Sequence, residues 1–187
     1  MTPGKLIGGL VFLAITGGLV VEFGRGIGPE VERERGSACL AIGALRRDEP
    51  AQDFELPNHA GAKVRLSSLT GRVVFLNFWA TWCPPCRDEM ASMDLLAKDL
   101  RGTDFSMVAV SVDDGWEPIR AFFPGGTTMA ILLDASKGHD VPRAWGTEKF
   151  PETYLIDRAG RVRWHVVNKR DWTSPEARRC IDSLLDY

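Results

Sequence analysis

Residues 72–86 read Arg-Val-Val-Phe-Leu-Asn-Phe-Trp-Ala-Thr-Trp-Cys-Pro-Pro-Cys, and this stretch decides the fold. Its first eight residues form an almost continuous apolar run, which predicts a strand buried on both faces of a sheet. From Pro84 to about Arg101 the apolar residues recur at helical spacing, which predicts a helix. Cys83 and Cys86 therefore lie where a buried strand passes into a helix.

Strands and helices alternate along the rest of the chain. The predicted strands are 105–112, 129–133, 153–156 and 161–167, and the predicted helices are 116–123 and a terminal helix opened by Ser174 and Pro175. In the last strand Arg163 and His165 alternate with apolar residues, which predicts that both face solvent. Strand–helix–strand units followed by an antiparallel hairpin predict an α/β domain with a central mixed sheet flanked by helices.

The beginning of the chain differs from the rest. An uncharged run from Leu6 to Val21 predicts that residues 1–23 form a retained membrane anchor, with a cleaved signal segment as the alternative. Residues 24–45 are rich in glycine and charge and predict a tether, so the folded domain is expected over 46–187. The net charge of −2 over 187 residues argues against a nucleic-acid partner.

A cysteine at the start of a helix is chemically activated. Free N–H groups and the helix dipole stabilise an anion there, and the thiolate is the form that attacks disulfides. Two intervening residues place Cys86 one turn further along, within bonding reach of Cys83. The pattern predicts thiol–disulfide exchange, in which Cys83 attacks and Cys86 resolves the mixed disulfide.

Other roles for the cysteine pair fit the sequence less well. A zinc site needs a second Cys-x-x-Cys or a pair of histidines at ligand spacing, and the sequence contains neither, so no metal and no cofactor is predicted. A copper chaperone would need wider cysteine spacing and a suitably placed histidine. A peroxidase would need a different arrangement around Thr81, Trp82 and Cys83.

The segment Asn-Phe-Trp-Ala-Thr-Trp-Cys-Pro-Pro-Cys-Arg-Asp-Glu-Met at 77–90 resembles the active site of TlpA-like proteins. These are anchored bacterial relatives of thioredoxin that include the cytochrome c maturation reductases. Further matching segments are 53–56, 66–71, 145–146 and 150–157, so the resemblance covers most of residues 50–165. It implies a thioredoxin-like fold with an N-terminal β extension.

The same resemblance implies a protein-disulfide reductase anchored in the inner (cytoplasmic) membrane, with its catalytic domain facing the periplasm or the cell exterior. Its substrates would be protein disulfides, among them those of apocytochrome c, and a transmembrane donor would supply the electrons. A disulfide oxidase or isomerase would use the same residues, because the reduction potential sets the direction of exchange.

Four residues are predicted to contact the substrate. By resemblance, Pro151 matches the family's cis-proline, which faces the cysteine pair and exposes backbone for a substrate peptide. Phe150, directly before it, would then touch the substrate, with core packing as the alternative. Trp82 and Pro84 flank Cys83 and are expected on the same surface.

Glu89 matches an acidic residue to which the family assigns proton transfer at the active site. The alternative is that Glu89 only stabilises the first turn of its helix, where an acid is favourable. Asn77 stands where ordinary thioredoxins carry a buried aspartate. Because an Asn cannot accept a proton, this chain would use Glu89 or water instead.

The remaining features leave alternatives open. In an oxidising compartment Cys39 and Cys180 are compatible with a disulfide, and equally with two separate buried thiols. Asp113 and Asp114, after the second predicted strand, are expected to cap the next helix, with metal ligation as the alternative.

Overall fold

The computed structural model describes residues 36–186. The predicted anchor, residues 1–23, and most of the predicted tether lie outside the described residues. Within the described part, no helix is long and apolar enough to cross a membrane. Residues Ala38–Tyr187 form one compact unit of the chain.

The secondary structure follows the predicted alternation. Residues 36–41 are helical and are called α1. The later helices are α2 (Pro84–Asp99), α3 (Trp116–Phe122), α4 (Asp140–Ala144) and α5 (Pro175–Leu185), with a 3-10 turn at Leu66–Leu69. The strands are β1 (Leu45–Pro50), β2 (Glu55–Pro57), β3 (Lys63–Arg65), β4 (Val73–Trp79), β5 (Phe105–Ser111), β6 (Ala130–Leu133), β7 (Glu152–Ile156) and β8 (Arg161–Val167).

Six of these strands form one mixed sheet in the order β1-β8-β7-β4-β5-β6. Strand β4 runs parallel to β5 and antiparallel to β7, and all seven of its residues are buried. The predicted α/β architecture with a central mixed sheet is therefore confirmed. Strands β2 and β3 form a separate small hairpin.

The two faces of β4 belong to two apolar clusters. Phe75 and Trp79 pack on the side of α2 and α5, while Leu76 and Phe78 pack on the other side against β7 and the 3-10 turn. This alternation follows from the period of two along a strand. Asn77 shares the α2 side with Phe75 and Trp79, so its polar side chain is buried beneath the helix that carries the cysteines.

The segment before β4 is fastened to the sheet. Strand β1 pairs antiparallel with β8 as a β extension of the sheet. Cys39, in α1, forms a disulfide with Cys180 of α5, with the two sulfurs 2.04 Å apart. Of the two alternatives that the sequence left open for these cysteines, the structure shows the disulfide.

Candidate active site

Cys83 and Cys86 form a disulfide at the start of α2, with the two sulfurs 2.06 Å apart. Cys83 is the N-cap residue, and its Sγ lies 3.3 Å from the backbone nitrogen of Cys86. That N–H can donate to a thiolate at Cys83 once the bond is reduced, and so stabilises the attacking anion. Cys83 is 4% exposed and Cys86 is fully buried, so an incoming thiolate can reach only Cys83.

The loop that leads into the cysteine pair is held by a buried carboxylate. Asp113 accepts hydrogen bonds from the backbone N–H and the hydroxyl of Thr81 and from the hydroxyl of Ser111. The prediction that Asp113 caps α3 is wrong, because Gly115 is the N-cap of α3 and no side chain bonds there. Asp113 instead ties the end of β5 to the loop before Cys83.

The predicted substrate-binding residues surround Cys83. The peptide bond between Phe150 and Pro151 is cis, as the resemblance implied, and the carbonyl oxygen of Phe150 lies 3.6 Å from the Sγ of Cys83. The Trp82 side chain is 60% exposed and meets the Phe150 ring edge-on, with the centroids 6.1 Å apart. Pro84 is exposed beside them. Trp82, Pro84 and the half-buried Phe150 therefore form an apolar patch beside Cys83, while Pro151 itself is buried.

Glu89 lies in the second turn of α2 and is 2% exposed. Three donors hold its carboxylate: Nδ2 of Asn77 at 2.9 Å, Nε1 of Trp172 at 3.1 Å and the backbone N–H of Arg170 at 3.2 Å. The alternative role, stabilising the first turn of the helix, is wrong because α2 has no acid in its first turn. Glu89 is a buried acid one turn beyond Cys86.

Burial raises the pKa of Glu89 to about 7, although hydrogen bonds from Trp172, Arg170 and Asn77 oppose the rise. The group can therefore exchange a proton near neutral pH. Oδ1 of Asn77 is buried and has no hydrogen-bond partner. A rotation of the Asn77 amide would turn this acceptor toward a protonated Glu89. Asn77 can therefore form a hydrogen bond with Glu89 whether that carboxyl is ionised or protonated.

We expect Glu89 to make the stability of the protein fall with rising pH. In the fold the carboxyl keeps its proton up to about pH 7, whereas its ordinary pKa is 4.5. The associated stability is present below pH 4.5 and is lost as pH rises through 7, by about 3 kcal/mol. Urea denaturation at pH 5 and pH 8 measures the difference, and Glu89→Gln should remove most of it. An unchanged difference in Glu89→Gln would contradict this origin.

A second buried polar cluster lies under the cis-proline and was not predicted. Nε2 of His165 lies 2.8 Å from Oε2 of Glu152, and both residues are buried. The Tyr154 ring stacks on His165 with the centroids 4.3 Å apart, and Nη2 of Arg47 lies 3.4 Å from Nδ1 of His165. The prediction that His165 faces solvent is wrong, because Tyr154 and Glu152 of β7 and Arg47 of β1 contact its ring and leave it 7% exposed.

Glu152 and Tyr154, which can both lose a proton, differ in charge at neutral pH. Desolvation favours the neutral form of Glu152, but the hydrogen bonds from His165, Lys149 and Tyr154 outweigh it, and the pKa of Glu152 is lowered. Burial raises the pKa of Tyr154 to about 12, with Glu152 adding to the rise. Glu152 is therefore ionised and structural, in contrast to Glu89.

Among residues 36–186 no group of side chains is arranged to hold a metal ion.

The fold and the cysteine site define a thioredoxin-like thiol–disulfide oxidoreductase. Residues 48–165 match the AhpC/TSA family, and the chain belongs to this family. Thiol-disulfide oxidoreductase ResA of Geobacillus kaustophilus is 36% identical over 147 residues, which cover 78% of this chain and 79% of that protein. ResA of Bacillus subtilis is 34% identical over 120 residues, or 64% of this chain and 66% of that protein.

Solved structures agree with these sequence relatives. One is the crystal structure of a Chlorobium tepidum thiol:disulfide interchange protein provisionally named DsbE, with a TM-score of 0.68 and 32% identity. The match covers 75% of this chain and 99% of that chain. The thioredoxin-like fold and the oxidoreductase class predicted from the sequence are both confirmed.

Proposed function

We propose that this chain is a protein-disulfide reductase that acts outside the cytoplasm. Its Cys83–Cys86 dithiol reduces disulfides in protein substrates, apocytochrome c among them. The observation that carries the proposal is the disulfide at the start of α2, beside the cis peptide bond before Pro151. Relatives named thiol-disulfide oxidoreductase ResA and thiol:disulfide interchange protein support the same chemistry.

The reaction proceeds in two exchanges. The Cys83 thiolate attacks one sulfur of the substrate disulfide, and a mixed disulfide forms while the other substrate sulfur leaves as a thiolate. Cys86 then attacks the Sγ of Cys83, which releases the second substrate sulfur and closes the Cys83–Cys86 disulfide seen here. Cys86 must lose its proton for this step, and Glu89, one helical turn away, is the buried group that can accept it.

Glu89 also favours the reductive direction. An ionised carboxylate close to the pair disfavours a thiolate there, because like charges repel strongly in a dry interior. A pair whose reduced, thiolate form is disfavoured gives up its electrons more readily, whereas strong oxidants stabilise their reduced form. The placement of Glu89 therefore supports reduction over oxidation or isomerisation.

Residues 1–23 would anchor the chain in the cytoplasmic membrane with the catalytic domain on the outer side. The Cys39–Cys180 disulfide supports an oxidising compartment, since disulfides of this kind persist outside the cytoplasm. A reductase in such a compartment needs electrons from elsewhere. A transmembrane donor that reduces Cys83–Cys86 would supply them.

The reduction potential of Cys83–Cys86 tests the proposed direction. We expect a value near that of thioredoxin, about −270 mV, measured against a glutathione or dithiothreitol couple. The titration uses the full chain and quantifies alkylated peptides that contain Cys83 and Cys86 by mass spectrometry, so that the Cys39–Cys180 disulfide does not contribute to the signal. A value near about −120 mV would contradict the proposal and indicate an oxidant that forms disulfides.

A further inference from the structure

The carboxylate of Glu89 is held partly by a segment remote from the cysteine pair in sequence. The backbone N–H of Arg170 donates to Oε2 of Glu89 at 3.2 Å, and Nε1 of Trp172 donates to the same oxygen at 3.1 Å. Both residues lie between β8 and α5. The position of this segment therefore controls two of the three hydrogen bonds that Glu89 accepts.

The side chain of Arg170 fastens this segment to the beginning of the domain. Its Nε donates to the carbonyl oxygen of Ile42 at 2.6 Å, and its Nη1 donates to the carbonyl oxygen of Lys169 at 2.8 Å. Gly43 has a φ of +73°, and a Cβ at this position would lie 3.1 Å from Nη2 of Arg170. The guanidinium thus fits closely against the backbone that follows α1.

The Cys39–Cys180 disulfide holds the other side of that backbone. Both cysteines are fully buried, and the bond joins α1 to α5. The backbone N–H of Ala44 donates to the carbonyl oxygen of Cys39 at 3.0 Å, which closes the turn containing Ile42 and Gly43. A continuous path of covalent and hydrogen bonds therefore runs from the disulfide through Ile42 and Arg170 to Glu89.

We propose that the Cys39–Cys180 disulfide, Ile42 and Arg170 form a brace that positions the carboxylate of Glu89 beneath the redox-active pair. Arg170 is a positioning residue in this brace, since it acts on Glu89 and touches neither cysteine of the pair in the contacts described. The inference deepens the proposed function, because it rests on Glu89 as the group that exchanges a proton with Cys86.

Other charged groups near Glu89 are engaged elsewhere. An open cleft of about 530 Å³ beside it is lined by Asp88, Lys169, Arg170 and Asp171. Asp88 pairs with Lys169 at the surface, and Asp171 accepts hydrogen bonds from Thr173. Asn77 reaches Glu89 from β4 and is neutral. Arg170 is therefore the charged residue that contacts both Ile42 and the Glu89 carboxylate.

The indole N–H of Trp172 provides a direct readout, because it donates to Glu89. We would label tryptophan with 15N in the oxidised full chain and follow this signal between pH 5 and pH 9. The signal should titrate near pH 7, and Glu89→Gln should abolish the titration. In Arg170→Gln the midpoint should rise by about one unit, since the carboxylate loses a positive neighbour and an aligned N–H donor.

Gly43→Ala tests positioning without removing any charge. The added methyl group would lie 3.1 Å from Nη2 of Arg170 and push the tip of this flexible side chain, so the Trp172 midpoint should rise by less than in Arg170→Gln. Gly61→Ala is the matched control, because Gly61 has a similar φ of +78° but nothing within 4 Å of its Cβ position. Arg179→Gln, on the exposed side of α5, controls for loss of a positive charge. Both controls should keep the wild-type midpoint.

An unchanged midpoint in folded Arg170→Gln and Gly43→Ala would overturn the brace, as would equal shifts in Gly43→Ala and Gly61→Ala. Cys39→Ala/Cys180→Ala should raise the midpoint too. If this double variant does not fold, Arg170→Gln and Gly43→Ala decide the question. The titration uses no substrate, so it is independent of the direction of exchange. A shifted midpoint with an unshifted pH profile of substrate reduction would support the brace and overturn the proton role of Glu89.

Discussion

Replacement of Cys83 by serine is expected to abolish disulfide reduction, with a loss of at least about 10³-fold in rate. A hydroxyl at the N-cap of α2 does not ionise near neutral pH and cannot attack a disulfide, whereas the thiolate can. The rate of reduction of a protein disulfide, with dithiothreitol as the electron source, measures the loss. The variant Cys39→Ala/Cys180→Ala, which keeps the redox pair, should remain active at pH 7.

Cys86→Ser should give the complementary result. Cys86 is fully buried, and in the proposed mechanism it resolves the mixed disulfide. Its replacement should therefore leave Cys83 covalently bonded to the substrate. Non-reducing electrophoresis would show this adduct, and mass spectrometry would identify the captured protein. Captured proteins that carry Cys-x-x-Cys-His haem-attachment segments would support apocytochrome c as a substrate.

Retention of more than about a tenth of wild-type activity in Cys83→Ser would contradict the assignment of Cys83 as nucleophile.

Loss of the Cys39–Cys180 disulfide is expected to lower the free energy of unfolding by about 3–5 kcal/mol. The bond joins residues 141 positions apart, and cross-linking so long a loop removes much conformational freedom from the unfolded chain. Urea denaturation of Cys39→Ala/Cys180→Ala at pH 7, compared with the wild type under non-reducing conditions, measures the loss.

The redox pair provides the comparison for this second prediction. Cys83 and Cys86 are separated by only 3 positions, so the same relation gives about 1–2 kcal/mol for their bond. Cys83→Ala/Cys86→Ala should therefore lose clearly less stability than Cys39→Ala/Cys180→Ala. Equal losses in the two double variants would show that closing the long loop is not what stabilises the domain.

Local sequence patterns predicted the elements that carry the redox pair. The apolar run before Trp82 predicted β4, and the helical spacing after Cys83 predicted α2, because each pattern reflects how one element buries its own side chains. The resemblance to TlpA-like proteins supplied the cis bond before Pro151, which base rates for proline alone would not predict.

Contacts between distant segments were beyond the local patterns. His165 alternates with apolar residues as a solvent-facing residue would, yet its ring is buried by contacts with Tyr154 and Arg47. Arg47 lies in β1, 118 positions away in sequence, so no local pattern predicts this contact. Asp113 looks like a helix cap because capping is a local interaction, whereas its partner Thr81 lies 32 positions away. The pairing of Cys39 with Cys180 likewise depends on how the two ends of the domain fold back together.

Strand β1 ends the sheet with a surface that discourages further strand addition. All six of its residues are exposed, its sequence Leu-Arg-Arg-Asp-Glu-Pro is mostly charged, and its register with β8 is interrupted between Arg46 and Glu49. Charges, irregular pairing and a terminal proline are the features by which sheet edges resist edge-to-edge association. The proposed protein-disulfide reductase would meet extended polypeptide chains as substrates. The edge formed by β1 therefore disfavours strand pairing with such chains, and so disfavours aggregation through that edge.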